Sequence, residues 1–481
     1  MFSYIYIIYC FISIVHAFLH IPNYKCPGEE TLRKCLGHRI KGPIYYRKDF
    51  AYKSDLLLEN NARVVYFPVA FVHPVDVFDV QSAIKCGAKL KFTVIARSGG
   101  HSFESYSIGD RDCTLIVDLR YMNKIIIDVT TQTAKIETGN TLDTLYRSLN
   151  EHVFAFPGGG CSSIGVGGII LGGGNGYIMR KFGMSCDNIL DAQIVLANGT
   201  IVNHAKKYPD LFWALRGAGN AGYGIVTTLT IKIYPIQKIV TSMAFTYDFD
   251  QAQLVYSVIN KLGNSFHQNF TLMIDHRNKT MFQIRGYYLG SLNEAKPHIQ
   301  ELIKLTKPKD ESYVEGEWYN AVLENTTGTR NYYKVKSFYI NSPGLSYEGV
   351  EYLMKFIKNF KCTFWVGIIL IGGGRVNEIG RNEMAFVHRG FMYVQTIEAV
   401  LDENNYEICL KDLDNFSLVF QKNYTSSESY QNSIDRKLDN WQCRYYGENF
   451  GKLVKIKQKY DPNNLFNWNQ SIPTNTETSC Y

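Results

Sequence analysis

Residues 92–96, 115–119, 124–129 and 134–137 are short apolar or β-rich runs set apart by turn residues, the pattern of a sheet made of brief strands. Leu142, Leu145, Tyr146 and Leu149 then fall on one helical face, behind Asn140 and Thr141, which offer an N-cap. Past Pro235 glycines thin out. Strand-like runs at 243–247, 281–286 and 364–371 alternate there with helical stretches, the clearest at 346–360 and 403–420. A chain of 481 residues exceeds one ordinary core, so the pattern predicts an α+β protein of two domains, the second an antiparallel sheet backed by helices.

Residues 158–188, GGGCSSIGVGGIILGGGNGYIMRKFGMSCDN, interrupt this rhythm with a dense run of glycine. Each glycine in regular structure costs about 0.5–1 kcal/mol relative to alanine, so such density implies tight turns or a backbone pressed against a flat ligand, most commonly a dinucleotide pyrophosphate. The interleaved Ile164, Val166, Ile169, Ile170 and Leu171 argue against a flexible linker. The run carries Cys161, and upstream a second glycine turn, Arg97-Ser98-Gly99-Gly100-His101-Ser102, offers a histidine. Residues 217–222, GAGNAG, satisfy the dinucleotide fingerprint G-x-G-x-x-G in reversed context, with a helical pattern before and a strand after, which excludes a nicotinamide site there. No Walker A sequence and no G-x-S-x-G elbow occurs.

RSGGHS followed by GGGCSSIGVGGIILGGGNGYIMRKFGM resembles the berberine-bridge-enzyme-like oxidoreductases, flavoproteins of the vanillyl-alcohol-oxidase superfamily with a PCMH-type FAD-binding domain. The match continues through PDLFWALRG at 209–217, YGIV at 223–226, YYGENF at 445–450, KYDPNNLF at 459–466 and QSIP at 470–473. The resemblance implies an FAD-binding domain at 18–236 with its PCMH-type core at about 62–236, a substrate-binding domain at 237–430, and a segment at 431–481 that returns to the flavin. It implies FAD tied twice, through His101 to the 8α-methyl and through Cys161 to C6, with Arg97, Ser98, Gly99, Gly100, Ser102, Ser162, Gly165, Gly168, Gly176, Ile225 and Asn449 around the cofactor and no metal. Thiolate sulfur and the lone pair of neutral imidazole both have the nucleophilicity for such bonds. A disulfide between Cys35 and Cys86 is implied as well.

The activity so implied is hydride transfer from a hydroxyl-bearing carbon of a sugar, oligosaccharide or other small alcohol to flavin N5, with oxygen as acceptor giving hydrogen peroxide. Three alternatives stay open: an aromatic alcohol, phenolic or alkaloid substrate, a dehydrogenase with another acceptor, and a secreted flavin-binding protein without turnover. A base must reach the substrate hydroxyl. Tyr445 of YYGENF matches the family's tyrosine for that role, and Gln395, on a strand over the flavin face, takes the place of a polar partner, with Tyr393 as neighbour and Glu398 replacing it if the strand is shifted. Phe103, Ile169 and Ile164 depart from the family's tyrosine, histidine and oxygen-gate positions, so oxidase against dehydrogenase is not decided.

Residues 1–17 read as a secretory signal peptide: an uncharged apolar run ending in Val15-His16-Ala17. The chain is then expected to be exported, with no membrane association after cleavage. Seven sequons, at Asn198, Asn269, Asn278, Asn325, Asn415, Asn423 and Asn469, permit glycosylation in that compartment. A net charge of +7 without a dense lysine or arginine block argues against nucleic-acid binding. Of eleven cysteines, those beyond Cys10, Cys161, Cys35 and Cys86 are not assignable from spacing.

Overall fold

The computed structural model describes residues 21–323, 330–401, 405–476 and 478–480; the expected leader at 1–17 and the sequon at Asn325 lie outside the described residues. The first unit holds two larger sheets and a two-stranded pair of Phe154–Ala155 with Tyr234–Pro235. Ala70–Val72, Leu115–Asp118 and Val94–Arg97 lie parallel, with Ile44–Tyr46 antiparallel on the edge. Burial on both faces explains why the inner strands read as unbroken apolar runs. Helix Val77–Leu90 crosses over them, started by Asp76, whose side chain accepts from the Phe78 and Asp79 N–H groups. Its Cys86 is bonded to Cys35, as implied by the resemblance. Cys26–Cys113 closes the same unit, and Cys362–Cys409 and Cys443–Cys480 complete the disulfides among the described residues.

The second sheet is antiparallel, in the order Ile125–Asp128, Thr133–Glu137, Ile225–Lys232, Ile189–Val195, Ile201–Val202. Helix Leu142–Asn150 begins on a capping box between Thr141 and Thr144 and buries Leu142, Leu145, Tyr146 and Leu149. Helix Pro209–Ala218 precedes the GAGNAG turn and strand Ile225–Lys232 follows it, the reverse of a dinucleotide fingerprint.

The second unit is one seven-stranded antiparallel sheet, ordered Asp310–Glu317, Ile239–Asp248, Met281–Tyr288, Phe270–His276, Thr363–Leu370, Phe391–Val400, Tyr333–Asn341. Side chains alternate across it. One face, with Phe245, Ile274, Ile284, Ile368 and Ile397, joins Val255, Ile299, Leu353 and Leu413 of helices Ala252–Leu262, Leu292–Thr306, Tyr347–Asn359 and Tyr406–Tyr424 in one core. The other face is left for the groove between the units.

The chain then returns. Helix Phe450–Tyr460 packs into the core of the first unit, and its buried Lys457 donates to the carbonyls of Gly222 at 2.5 Å and Phe466 at 2.8 Å and to Asp461 at 2.7 Å. A buried ionic cluster joins all three parts: Lys334, on the edge strand, pairs with Glu104 of the first unit and Asp435 of the returning segment, while Lys336 reaches Asp435 at 2.6 Å and Asp414 at 2.7 Å. Burial alone would raise the Asp435 carboxyl, but Lys334 and Lys336 outweigh it and hold it well below the usual carboxylate range. Among the described residues, no helix is long and apolar enough to cross a membrane.

Candidate active site

A groove of about 1500 Å³ runs between the units, lined by both glycine turns, the open face of the large sheet and the returning segment. The two turns cross at Gly99 and Gly165, where a Cβ on either would lie 2.3 or 2.2 Å from the backbone nitrogen of the other. Only glycine permits that approach, and it puts His101 and Cys161 into the lining of one groove. His101 Nε2 lies 2.8 Å from Ser163 Oγ, and Nδ1 lies 3.3 Å from Asn60 Nδ2, which also donates to the Tyr333 hydroxyl at 2.7 Å. Burial pushes the imidazole down to about 4, so it is neutral at ordinary pH, with one nitrogen lone pair.

The wall from the large sheet is set by strand parity. On Phe391–Val400, Thr396, Glu398 and Val400 line the groove. Across from them on Thr363–Leu370, Trp365 pairs in register with Glu398 and Thr363 with Val400. Trp365 donates its Nε1–H to Asp275 at 2.9 Å, and Asp275 also accepts from Arg277 at 3.0 Å. Tyr333 stands edge-on to Phe103, ring centroids 5.7 Å apart. Burial raises its phenol well above the ordinary value, and the neighbouring Glu398 adds to that, so it is a phenol and not a phenolate.

Ser98, Gly99, Gly100, His101, Ser102, Cys161, Gly165, Gly168 and Gly176 line the groove. The others expected there do not. Arg97 is buried beneath its turn, paired with Asp118 and bonded to the Asp55 carbonyl. Ser162 is displaced by Ser163, and its carbonyl accepts the Asp143 N–H at the start of a helix. Ile225 points into the core of the parallel sheet while its neighbours Gly224 and Val226 face the groove. Asn449 braces the carbonyls of Arg381, Met384 and Ala385.

Both expected catalytic groups are also elsewhere. Gln395 pairs with Ile368 and Phe338 on the helix-packed face, fully buried, so the groove position belongs to Glu398 and Thr396, the shifted register. Tyr445 is 1% exposed and accepts the Asp435 N–H at 2.9 Å; it lines a separate cavity of about 190 Å³ that shares only Ser433 with the groove. Asn60, Ser163, Tyr333, Trp365 and Ser433 went unseen in the sequence, because nothing local marks an asparagine in a loop or a tyrosine on an edge strand as part of a site.

The lining suits FAD. Gly168 has no atom within 4 Å of where a Cβ would stand, the Tyr106 hydroxyl is buried in the lining with no partner among the described residues, and two nucleophiles border the same space. Glycine backbone can approach a pyrophosphate, apolar Val94, Ile95, Val226 and Phe466 can cover flat rings, and His101 and Cys161 can bond to the isoalloxazine.

Comparison with known proteins agrees. Residues 68–205 match the FAD binding domain model and residues 429–473 the berberine and berberine-like model. Monolignol oxidoreductase AtBBE-like 13 of Arabidopsis thaliana is 31% identical over 458 residues, 85% of this chain and 84% of that protein. The structure of Physcomitrella patens BBE-like 1 superposes with a TM-score of 0.86 at 30% identity, covering 93% of this chain and 100% of that one. The xylooligosaccharide oxidase of Myceliophthora thermophila C1, in complex with xylobiose, superposes with a TM-score of 0.85 at 25% identity, covering 92% and 99%.

Proposed function

The chain belongs to the berberine-bridge-enzyme-like family of FAD-linked oxidoreductases, and from that premise we propose that it is an extracellular enzyme that holds FAD through both His101 and Cys161 and oxidises a hydroxyl-bearing carbon of a sugar or other alcohol. The observation that carries this reading is the entry of His101 and Cys161 into the lining of one groove, with Glu398 on its substrate-sheet wall. Bound FAD supplies the hydride acceptor, and oxygen takes the electrons on to hydrogen peroxide. Glu398 accepts the proton of the substrate hydroxyl as its carbon gives up hydride. The neutral Tyr333 phenol sits near that carboxylate and offers a hydrogen bond to the reacting oxygen. Trp365 and Arg277 in the lining support a sugar: a flat aromatic surface for the ring and a fixed charge for its hydroxyls, with the buried Asp275 bonded to both side chains. The relative named for monolignols keeps an aromatic alcohol as the second substrate class, for which the same tryptophan is a stacking partner.

The test starts with secreted protein denatured in acid and washed. Yellow colour that stays with the pellet, and survives His101→Ala and Cys161→Ala singly but not together, is the expected result; colour lost to the supernatant sinks both attachments. A panel of oligosaccharides and aromatic alcohols, read by dye reduction and peroxide release, then separates the substrate classes. With the best substrate, Glu398→Gln is expected to slow flavin reduction by about 10²–10⁴-fold, the usual worth of a positioned base, while Tyr445→Phe leaves it within about threefold. The opposite ranking refutes the assignment of the base.

A further inference from the structure

His101 is held at both ring nitrogens. Asn60 approaches Nδ1 with its amide nitrogen at 3.3 Å, and Nε2 lies 2.8 Å from Ser163 Oγ. An amide nitrogen only donates, so the Nδ1 facing it carries the lone pair, and the single proton of the neutral ring sits on Nε2 and is donated to Ser163. The two units together hold Asn60 in that orientation. Its backbone N–H bonds the Gly100 carbonyl at 3.0 Å on the turn, and its amide donates at 2.7 Å to Tyr333 on the edge strand of the large sheet. A neutral imidazole forms a new bond to carbon only through the nitrogen that carries its lone pair.

We infer that Asn60 and Ser163 are positioning residues for cofactor attachment: by fixing the His101 tautomer they make Nδ1 the nucleophile that takes the 8α-carbon of the flavin. The inference rests on the attachment proposed above. One bond forms, from Nδ1 to the 8α-carbon. One C–H bond of that methyl group breaks, and the Nε2 proton leaves by way of Ser163 Oγ. The electron pair of the C–H bond and the two hydrogens end on dioxygen as hydrogen peroxide, the same acceptor that the proposed reaction uses.

The experiment uses the full chain with Cys161→Ala, so that any covalent flavin is held by His101, and follows attachment after FAD is added to flavin-free protein. Total flavin per chain and the fraction retained after acid denaturation are read separately. Asn60→Asp sets a carboxylate against Nδ1 and draws the ring proton there. It is expected to slow attachment by about a hundredfold, the order of a lost proton-transfer arrangement, with total flavin per chain unchanged. Ser163→Ala is expected to slow it as well, and Ser163→Thr, which keeps the hydroxyl, to restore it. Attachment in Asn60→Asp and Ser163→Ala as fast as in the Cys161→Ala parent overturns the inference. If Asn60→Asp binds no flavin, the two Ser163 variants decide, and equal rates in them overturn it. A parent without covalent flavin instead overturns the attachment itself, and this inference falls with it.

Discussion

Glu59, adjacent in sequence to Asn60, is wholly buried, with the Ser107 side chain beside its carboxyl. Burial is the main cause that raises its carboxyl to about 8, against the pull of Arg97. The folded protein therefore keeps a proton that the unfolded chain releases from about 4.5 upward. Between those values the folded state binds the extra proton, so stability falls as pH rises, by on the order of 5 kcal/mol across the window. Glu59→Gln is expected to raise Tm little at pH 5 and most at pH 8; an equal gain at both, followed by thermal unfolding, would show that the carboxyl is not held protonated. No sequence rule announces such a group, since Glu59 is an ordinary polar residue with nothing local to mark its burial. His101 and Cys161 were legible because each sits inside its own glycine turn, where spacing along the chain is spacing in space. Tyr445 was misleading for the opposite reason: its motif is local, but which side of the returning segment faces the groove depends on packing more than 200 residues away.

Elements were more legible than their faces. Helix Leu142–Asn150 carries its cap, its apolar stripe and its end in its own residues. The strand Phe391–Val400 is equally plain as a strand, yet it is buried on both faces for most of its length, so its composition does not say which parity meets the groove. A shift of one residue exchanges Gln395 for Thr396 and every second neighbour with them. Gln395 is left with both amide atoms unpaired between Phe338 and Ile368. Replacing an unsatisfied buried amide by an apolar side chain of similar shape removes a desolvation cost of about 1–3 kcal/mol. Gln395→Met is therefore expected to move the denaturant midpoint upward by about 1 kcal/mol of stability without changing flavin content, and a downward move would mean that the amide has a function in the fold.

At the level of the whole molecule, the two-unit division was readable from the change of composition after Pro235, whereas the ionic cluster that locks the units was not. Lys334, Glu104 and Asp435 are distant in sequence and each is commonplace alone. Their side chains are 1–3% exposed. Lys334→Met takes away the cation that Glu104 and Asp435 share, leaving Glu104 to Arg63 and Asp435 to Lys336, and is expected to cost about 1–3 kcal/mol in urea unfolding, below the about 3–5 kcal/mol of a wholly unpaired buried charge. A cost below about 1 kcal/mol would place the lock elsewhere. The return of the chain has a consequence for how the protein is made. The groove takes residues 430–434, Phe466 and Trp468 from the returning segment, which leaves the ribosome well after both glycine turns. Translation thus delivers both nucleophiles before the wall that closes over them. A nascent or truncated chain ending near residue 425 displays His101 and Cys161 in an unfinished pocket, so loading with cofactor waits for the returning segment, and a stop codon anywhere between there and Trp468 yields a protein that is colourless as well as short.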